Sequence, residues 1–427
     1  MSHMKILIFL FSVILFRSDA FLSTNPTSSL SLLNNRQLIS QSSVSIERIN
    51  KNNIKNNRLQ LNMLDQFFNS FNSGSSSNSN GKRNKSNKQY IVVTGTTSGL
   101  GRATAKSLID TGNFNVICGV RDVNKMNKIA EEDNYNMDNY KVVELDLSSF
   151  ESTKNFAKKI KSITGSRPLD KLCCNAAVYQ PALPTPKWTV DNIEQQLQIN
   201  HLSHFLLVSL LLPQLSKSKN NPRVCIVGSI TGNTNTIGGG LVLPFADLGN
   251  LKGMQDGSIN PIAMVDGNSF NGAKAYKDSK ICNMMTINEL HKRYHKSTGV
   301  VFTSMYPGCI AETQLFREKR PWFQKLFPLF MKYVTGGYVS EEEAGDRLAQ
   351  VMEAPETNRS GVYWSWNGGA REIPKKDFKR DFVKGTGGAG GGRKALFENT
   401  PSDEVADERK SGLMWEYSTA ITGAKWI

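Results

Sequence analysis

Tyr276 and Lys280 stand four residues apart in the run Tyr276-Lys277-Asp278-Ser279-Lys280, a spacing that puts both side chains on one face of a helix. A phenol with its ordinary pKa of about 10 exchanges protons near neutrality only with help from a neighbour. The ammonium of Lys280 is expected to give that help by lowering the phenol's pKa. Ser229 closes a strand-like run, Arg223 to Gly228, and could hydrogen-bond the phenol or a substrate. Asn200, in Asn200-His201-Leu202-Ser203-His204, could hold a water that links Lys280 to bulk solvent. Such a set offers proton transfer and orientation, and it needs another group to supply electrons.

The elements that would position these residues begin at Tyr90. Tyr90 to Val93 reads as an apolar strand, followed by Thr94-Gly95-Thr96-Thr97-Ser98-Gly99-Leu100-Gly101 and then by helical spacing from Arg102 to Asp110. Three glycines in a strand-to-helix turn let backbone pass close to a pyrophosphate, whose charge suits the amides at a helix start. Gly95, Thr96, Ser98, Gly99, Leu100 and Gly101 are therefore expected to bind a dinucleotide. Asn115 to Gly119 reads as a second strand, and Arg121 and Lys125 beyond it favour the 2′-phosphate of NADP, with Asp122 competing for a 2′-hydroxyl. A third strand, Lys141 to Leu145, ends at Asp146-Leu147, where a carboxylate could meet the adenine amine. A fourth, Leu169 to Cys174, ends at Asn175-Ala176-Ala177, small residues suited to the nicotinamide ribose. Strands alternating with helices require an α/β fold, a doubly wound parallel sheet of Rossmann type in a single catalytic domain over residues 89–427.

Composition narrows the function classes. Of 427 residues 39% are hydrophobic and 21% charged, which excludes a wholly disordered chain. The first 90 residues hold 11 Lys and Arg against 3 Asp and Glu, so only +7 of the formal charge of +15 falls on the rest. A nucleic-acid binder is not indicated. Lys5 precedes an apolar run from Ile6 to Phe16, too short for a bilayer of about 30 Å but suited to a signal peptide ending at Ala20. Residues 21–60 are rich in Ser, Asn, Lys and Arg and poor in acid, as in transit peptides. The tandem reads as a bipartite plastid presequence, followed by a Ser/Asn-rich linker over residues 61–88. Cys118, Cys173, Cys174, Cys225, Cys282 and Cys309 lack disulfide-framework spacing and are expected to be reduced. His291 and His295 have metal-compatible spacing without an accompanying acid in H-E-x-x-H form, so no metal site is expected.

With the glycine turn, Asn175-Ala176-Ala177, Asn200, Ser229 and the Tyr276/Lys280 pair in order, residues 89–366 resemble the short-chain dehydrogenase/reductase family. Finer segments are similar to its light-dependent protochlorophyllide oxidoreductase branch. They are Val227 to Thr236, Asp266 to Asn283 with Asn271-Gly272-Ala273-Lys274-Ala275-Tyr276, Tyr306-Pro307-Gly308-Cys309-Ile310-Ala311, Leu315-Phe316-Arg317-Glu318 and Gly361 to Asn367. The resemblance implies light-driven reduction of the ring D double bond of protochlorophyllide by NADPH, giving chlorophyllide, with the bound pigment absorbing the light. It implies a proton from Tyr276, with Lys280 and Ser229 assisting and Pro307 and Gly308 beside the cofactor. Cys309 is implied in pigment binding or protonation. The insertion 232–270 resembles an extra loop of that branch. Residues 312–336 would form a lid, with Phe316 and Phe323 against the pigment. The same aromatic and basic pattern would suit peripheral contact with the thylakoid membrane. Oligomeric state is left open. Lys384 to Gly392 departs from the commoner land-plant pattern. Two alternatives stay open: a dark NADP-dependent carbonyl reductase, and a non-catalytic NADPH- or pigment-binding protein.

Overall fold

The computed structural model describes residues 88–234, 237–240, 243–258, 261–310, 339–366 and 396–427. The presequence and all but the last residue of the linker lie outside them, as do the lid with Phe316 and Phe323, residues 384–392, and parts of the insertion.

Eight strands form one sheet in the order β3-β2-β1-β4-β5-β6-β7-β8. They are β1 Gln89–Thr94, β2 Phe114–Val120, β3 Tyr140–Glu144, β4 Lys171–Cys174, β5 Arg223–Val227, β6 Val301–Tyr306, β7 Val362–Ser365 and β8 Phe397–Asn399. All neighbours pair in parallel except β8, which runs antiparallel to β7. Strand order reverses between β1 and β4, and a cleft opens at such a reversal beyond the carboxyl ends of the strands.

Both faces are covered, as a parallel sheet requires. Successive β1 side chains alternate between the two resulting cores: Ile91 and Val93 enter one, Val92 the other, all fully buried. Helices α1 (Gly99–Asp110), α2 (Val123–Glu132) and α6 (Glu341–Glu353) cover the first face. The second carries α3 (Phe150–Thr164), α4 (Ser203–Leu215), α5 (Gly272–Leu290) and α7 (Glu408–Thr422). Helix α5 starts one turn before Tyr276 because Asn271 caps it, its side chain accepting from the Lys274 amide at 3.0 Å. Both β8 and α7 are absent from the sequence-based expectation. Helix α7 packs on α5 through Met414, and its Trp415 joins Phe205 and Trp426 in an edge-on aromatic cluster. No helix among the described residues is long and apolar enough to cross a membrane.

A buried carboxylate ties the insertion to this frame. Glu194 donates its backbone amide to the carbonyl of Ile262 at 2.9 Å, and its side chain accepts from the Leu197 amide at 2.8 Å. Burial pushes its carboxyl up to about 7. The raised folded pKa means that ionisation costs stability, a cost absent below the ordinary carboxylate range and complete above about 7. Glu194→Gln should therefore gain in thermal midpoint relative to the parent as pH rises from 5 to 8. Melting curves in which the difference is flat or reversed across that range would contradict this.

Candidate active site

The glycine turn is packed too tightly for side chains. Gly95 has φ +73°, and a Cβ built on it would lie 2.8 Å from Ala176. On Gly101 a Cβ would meet the carbonyl oxygen of Gly95 at 2.2 Å and Nδ2 of Asn175 at 2.4 Å. Bare glycine backbone thus follows the carboxyl end of β1 at the start of α1, which fits a pyrophosphate. Ser98 occupies the N-cap position in extended conformation without using its side chain as a cap. Two residues of the motif turn inward: Leu100 packs against the α1/α2 core, and the Thr96 hydroxyl points to Sδ of Met126 at 3.2 Å. Only the backbone of Thr96 remains to meet a cofactor.

Arg121 and Lys125 are exposed at the end of β2. Asp122, the competing acid, is taken up locally: its side chain caps α2, accepting from the Lys125 amide at 2.9 Å. Arg121 and Lys125 stay exposed beside that cap, where a 2′-phosphate could be met. Arg121→Ala should weaken NADPH binding while leaving NADH nearly unchanged, since charge-assisted bonds are roughly twice as strong as neutral ones. Equal losses for both cofactors, measured by fluorescence titration, would instead assign Arg121 to the fold. Oδ1 of Asp146 accepts from the Ser148 amide at 2.9 Å and the Ser148 hydroxyl at 2.7 Å, which fixes the carboxylate beyond β3. Leu147 is buried, and its carbonyl accepts from the Ser203 hydroxyl at 2.6 Å.

At the carboxyl end of β5, the Ser229 hydroxyl lies near enough to the Tyr276 phenol to draw its pKa down. The Thr231 hydroxyl lies 2.9 Å from the Ser229 hydroxyl. Burial pushes the Tyr276 phenol up to about 12, against the smaller lowering by Ser229. Lys280 lies with Nζ 5.7 Å from the Tyr276 ring centre and donates to the carbonyl of Val227 at 2.9 Å, and burial lowers it to about 8. The expected lowering of the phenol's pKa by Lys280 is not found: desolvation of the buried ring sets its direction, and the opposing contribution comes from Ser229. A phenol held protonated is a loaded proton donor. Tyr179 stacks obliquely on Tyr276 with ring centres 4.7 Å apart.

Asn200 sits in a π-helical turn, Gln198–Leu202, that leads into α4. Its side chain clamps the loop after β4, accepting from the Val178 amide at 2.8 Å and donating to the Val178 carbonyl at 3.0 Å. It also donates to Ser279 at 3.1 Å, so it reaches the helix of Tyr276 and Lys280. The protein therefore gives Asn200 a bracing position between the loop after β4 and helix α5.

Sequence reasoning missed Thr94 and His204. The Thr94 hydroxyl accepts from the amides of Asn175 and Ala176, both at 3.0 Å, and lies 3.0 Å from Nε2 of His204. With two donors already aimed at it, this oxygen gives its own proton to Nε2. Nδ1 then carries the ring proton and donates to the Asn200 carbonyl at 3.1 Å. Burial lowers His204 to about 4, which keeps that tautomer neutral. Asn175 adds donations to the carbonyls of Thr94 at 2.9 Å and Gly95 at 3.3 Å. Ala176 and Ala177 are thus held against the glycine turn from both sides.

Beyond β6, Pro307 is buried and Gly308 takes φ +102°, where a Cβ would clash with Val339 at 2.5 Å. The Cys309 thiol is partly open to solvent, yet apolar surroundings push it up to about 12, so it stays a neutral thiol. All six cysteines are free. The insertion docks on α5: Lys277 donates to the Pro244 carbonyl at 2.7 Å, and Lys274 pairs with Asp278 at 2.6 Å and Asp266 at 2.9 Å. His291 and His295 fall in another π-helical turn, with Nδ1 directed to Ser360 at 2.9 Å and to the Val300 carbonyl at 2.8 Å.

The short chain dehydrogenase family model matches residues 89–241. Protochlorophyllide reductase B, chloroplastic, of Oryza sativa subsp. japonica is 47% identical over 78% of this chain and 77% of its own. The chloroplastic protochlorophyllide reductase of Daucus carota is 48% identical over 79% of this chain and 78% of its own. That of Chlamydomonas reinhardtii is 46% identical over 79% of this chain and 78% of its own.

Proposed function

Because the chain belongs to the protochlorophyllide reductases, within the short-chain dehydrogenases, we propose that it catalyses light-driven, NADPH-dependent reduction of the ring D double bond of protochlorophyllide to chlorophyllide. One observation carries the chemistry of this reading: the buried, protonated Tyr276 phenol, with Ser229 lowering its pKa in part, and Lys280, which donates to the Val227 carbonyl, gather at the carboxyl end of β5. Bound NADPH supplies the hydride. Gly95, Ser98, Gly99, Leu100 and Gly101 hold the pyrophosphate through backbone, with Thr96 contributing its amide. Arg121 and Lys125 hold the 2′-phosphate, and Asp146 and Leu147 border the adenine. Asn175, Ala176, Ala177, Pro307 and Gly308 line the nicotinamide side. Tyr276 donates the proton to the second carbon of the double bond, Ser229 orients the phenol and Lys280 reaches the nicotinamide ribose. Asn200 braces this group, and Cys309 borders the pigment together with Phe316 and Phe323. The hydride brings one hydrogen with two electrons and Tyr276 brings one proton, which balances saturation of one C=C bond.

The protein works in the plastid, and residues 1–88 are assigned as a bipartite presequence with its linker. The chemistry is tested by illuminating the full chain with protochlorophyllide and NADPH deuterated at the transferring position. Mass spectrometry should find one deuterium and one solvent hydrogen added to the pigment. Product without the label, or reduction of a lipid carbonyl in its place, would overturn the proposal.

A further inference from the structure

His201 follows Asn200 in the π-helical turn and faces the C-terminal helix. Its Nε2 lies 3.0 Å from the hydroxyl of Ser418 on α7, 217 residues further along the chain, and its Nδ1 lies 3.2 Å from Oδ1 of Asn283 on α5. Asn283 in turn donates from Nδ2 to the Asn200 carbonyl at 2.9 Å. None of His201, Asn283, Ser418 and Asn200 is more than 1% exposed. Phe205, which meets both Trp415 and Trp426 edge-on, packs against the His201 ring with centres 5.9 Å apart.

Donor and acceptor roles are fixed at every link of this chain. Turning the Asn283 amide over would set its oxygen against the Asn200 carbonyl, so Oδ1 faces His201 and must accept. Nδ1 of His201 therefore carries the ring proton. Its Nε2 accepts from the Ser418 hydroxyl, whose other neighbour, the Met414 sulfur at 3.4 Å, is a weak acceptor. Burial lowers His201 to about 3, which keeps the ring neutral. His204 has the same tautomer and donates to the same Asn200 carbonyl at 3.1 Å. That oxygen thus has both lone pairs engaged, one from the cofactor side through Thr94 and His204, the other from α7 through His201 and Asn283.

We propose that Ser418 and His201 are positioning residues of the active site, acting through Asn283 on Asn200. The side chain of Asn200 holds the amide and the carbonyl of Val178, the residue before Tyr179, and donates to Ser279, whose hydroxyl donates to the Tyr276 carbonyl at 2.6 Å. A rotation of Asn200 would therefore shift the Tyr179 ring against Tyr276 and disturb the helix that carries the phenol at the same time. Buried polar networks specify a single arrangement while every member is satisfied. Neither Ser418 nor His201 touches pigment or cofactor in this account; the last helix of the chain sets the proton donor's place through them.

The inference rests on Tyr276 as the proton donor, and its test separates the two. Ser418→Ala removes the proton aimed at His201. Thr422→Ala, which removes the bond from the Thr422 hydroxyl to the Ser418 carbonyl, weakens the same helix without touching the network and is the control. In the full chain with isotopically labelled histidine nitrogens, nuclear magnetic resonance should find His201 and His204 both protonated on Nδ1, the tautomer being set by the bond each ring makes. Ser418→Ala should move the Nε2 resonance of one of the two, His201, and leave the other in place. After a flash, the same variant should transfer its proton about two- to thirtyfold more slowly, the range seen for residues that act along a packed network. Its NADPH affinity, which rests on the phosphate sites, should stay parental. Thr422→Ala should lower the melting point and keep the parental rate. His201 protonated on Nε2, a parental rate in Ser418→Ala, or equal slowing in Thr422→Ala would overturn the inference. A parent chain that shows both tautomers as expected and yet makes no chlorophyllide under light would overturn Tyr276 as the donor, and this role for the two residues with it.

Discussion

Tyr276→Phe should bind NADPH and pigment as the parent does and yet slow the proton-transfer step by about 10² to 10⁴-fold, the usual contribution of a positioned general acid. The ring remains, with its packing against Tyr179, while the only proton that Ser229 orients is gone. The raised pKa of the phenol, about 12, predicts in addition that the donor itself stays loaded from pH 6 to 9, so that any change of rate near pH 8 belongs to Lys280. Time-resolved absorbance after a flash resolves the step. An unchanged rate in Tyr276→Phe would reassign the proton to Cys309, whose thiol is held neutral, and Cys309→Ser would then carry the defect.

The residues that do chemistry through their type and spacing were legible in the sequence. The glycine turn, Ser229 and the Tyr276/Lys280 pair fall where the strand and helix periodicity places them, and the parallel sheet follows from the alternation. What could not be read was the consequence of burial. A Lys four residues from a Tyr suggests a lowered phenol pKa, but helix α5 is buried on nearly every side, and desolvation dominates. Thr94 reads as the first residue of the glycine turn and His204 only as a neighbour of Asn200; their link exists only because β1 and α4 meet. Asp122 is ambiguous in sequence because capping and ribose binding require the same acid, and only the geometry of α2 decides between them. Strand β8 is three residues long and pairs with β7 across a large sequence gap, so local pattern holds no trace of it.

Gly101→Ala should lose roughly 5- to 150-fold in NADPH affinity. The added methyl would lie 2.2 Å from a backbone oxygen and 2.4 Å from the Asn175 amide, neither of which is the free end of a flexible chain. Overpacking of this kind costs about 1 to 3 kcal/mol, and about 1.4 kcal/mol is a factor of ten in binding. Displacing Gly95 also disturbs Asn175, which donates to the Thr94 and Gly95 carbonyls, so cofactor and nicotinamide-side loops should shift together. Isothermal titration with NADPH measures the loss, and a Gly101→Ala protein with parental affinity would show that the turn opens freely and is no cradle.

Light absorbed by the pigment itself makes hydride transfer possible, since Tyr276, Lys280 and Ser229 offer proton chemistry and orientation alone. The most direct measurement takes the full chain with NADPH and protochlorophyllide in complete darkness, then delivers single flashes across the visible range and records the product of each. Product should be absent in the dark, should form after one flash, and should follow an action spectrum that matches the absorption of the bound pigment, with none formed when NADPH is left out. Sustained reduction in darkness, or an action spectrum that follows some other chromophore, would contradict it.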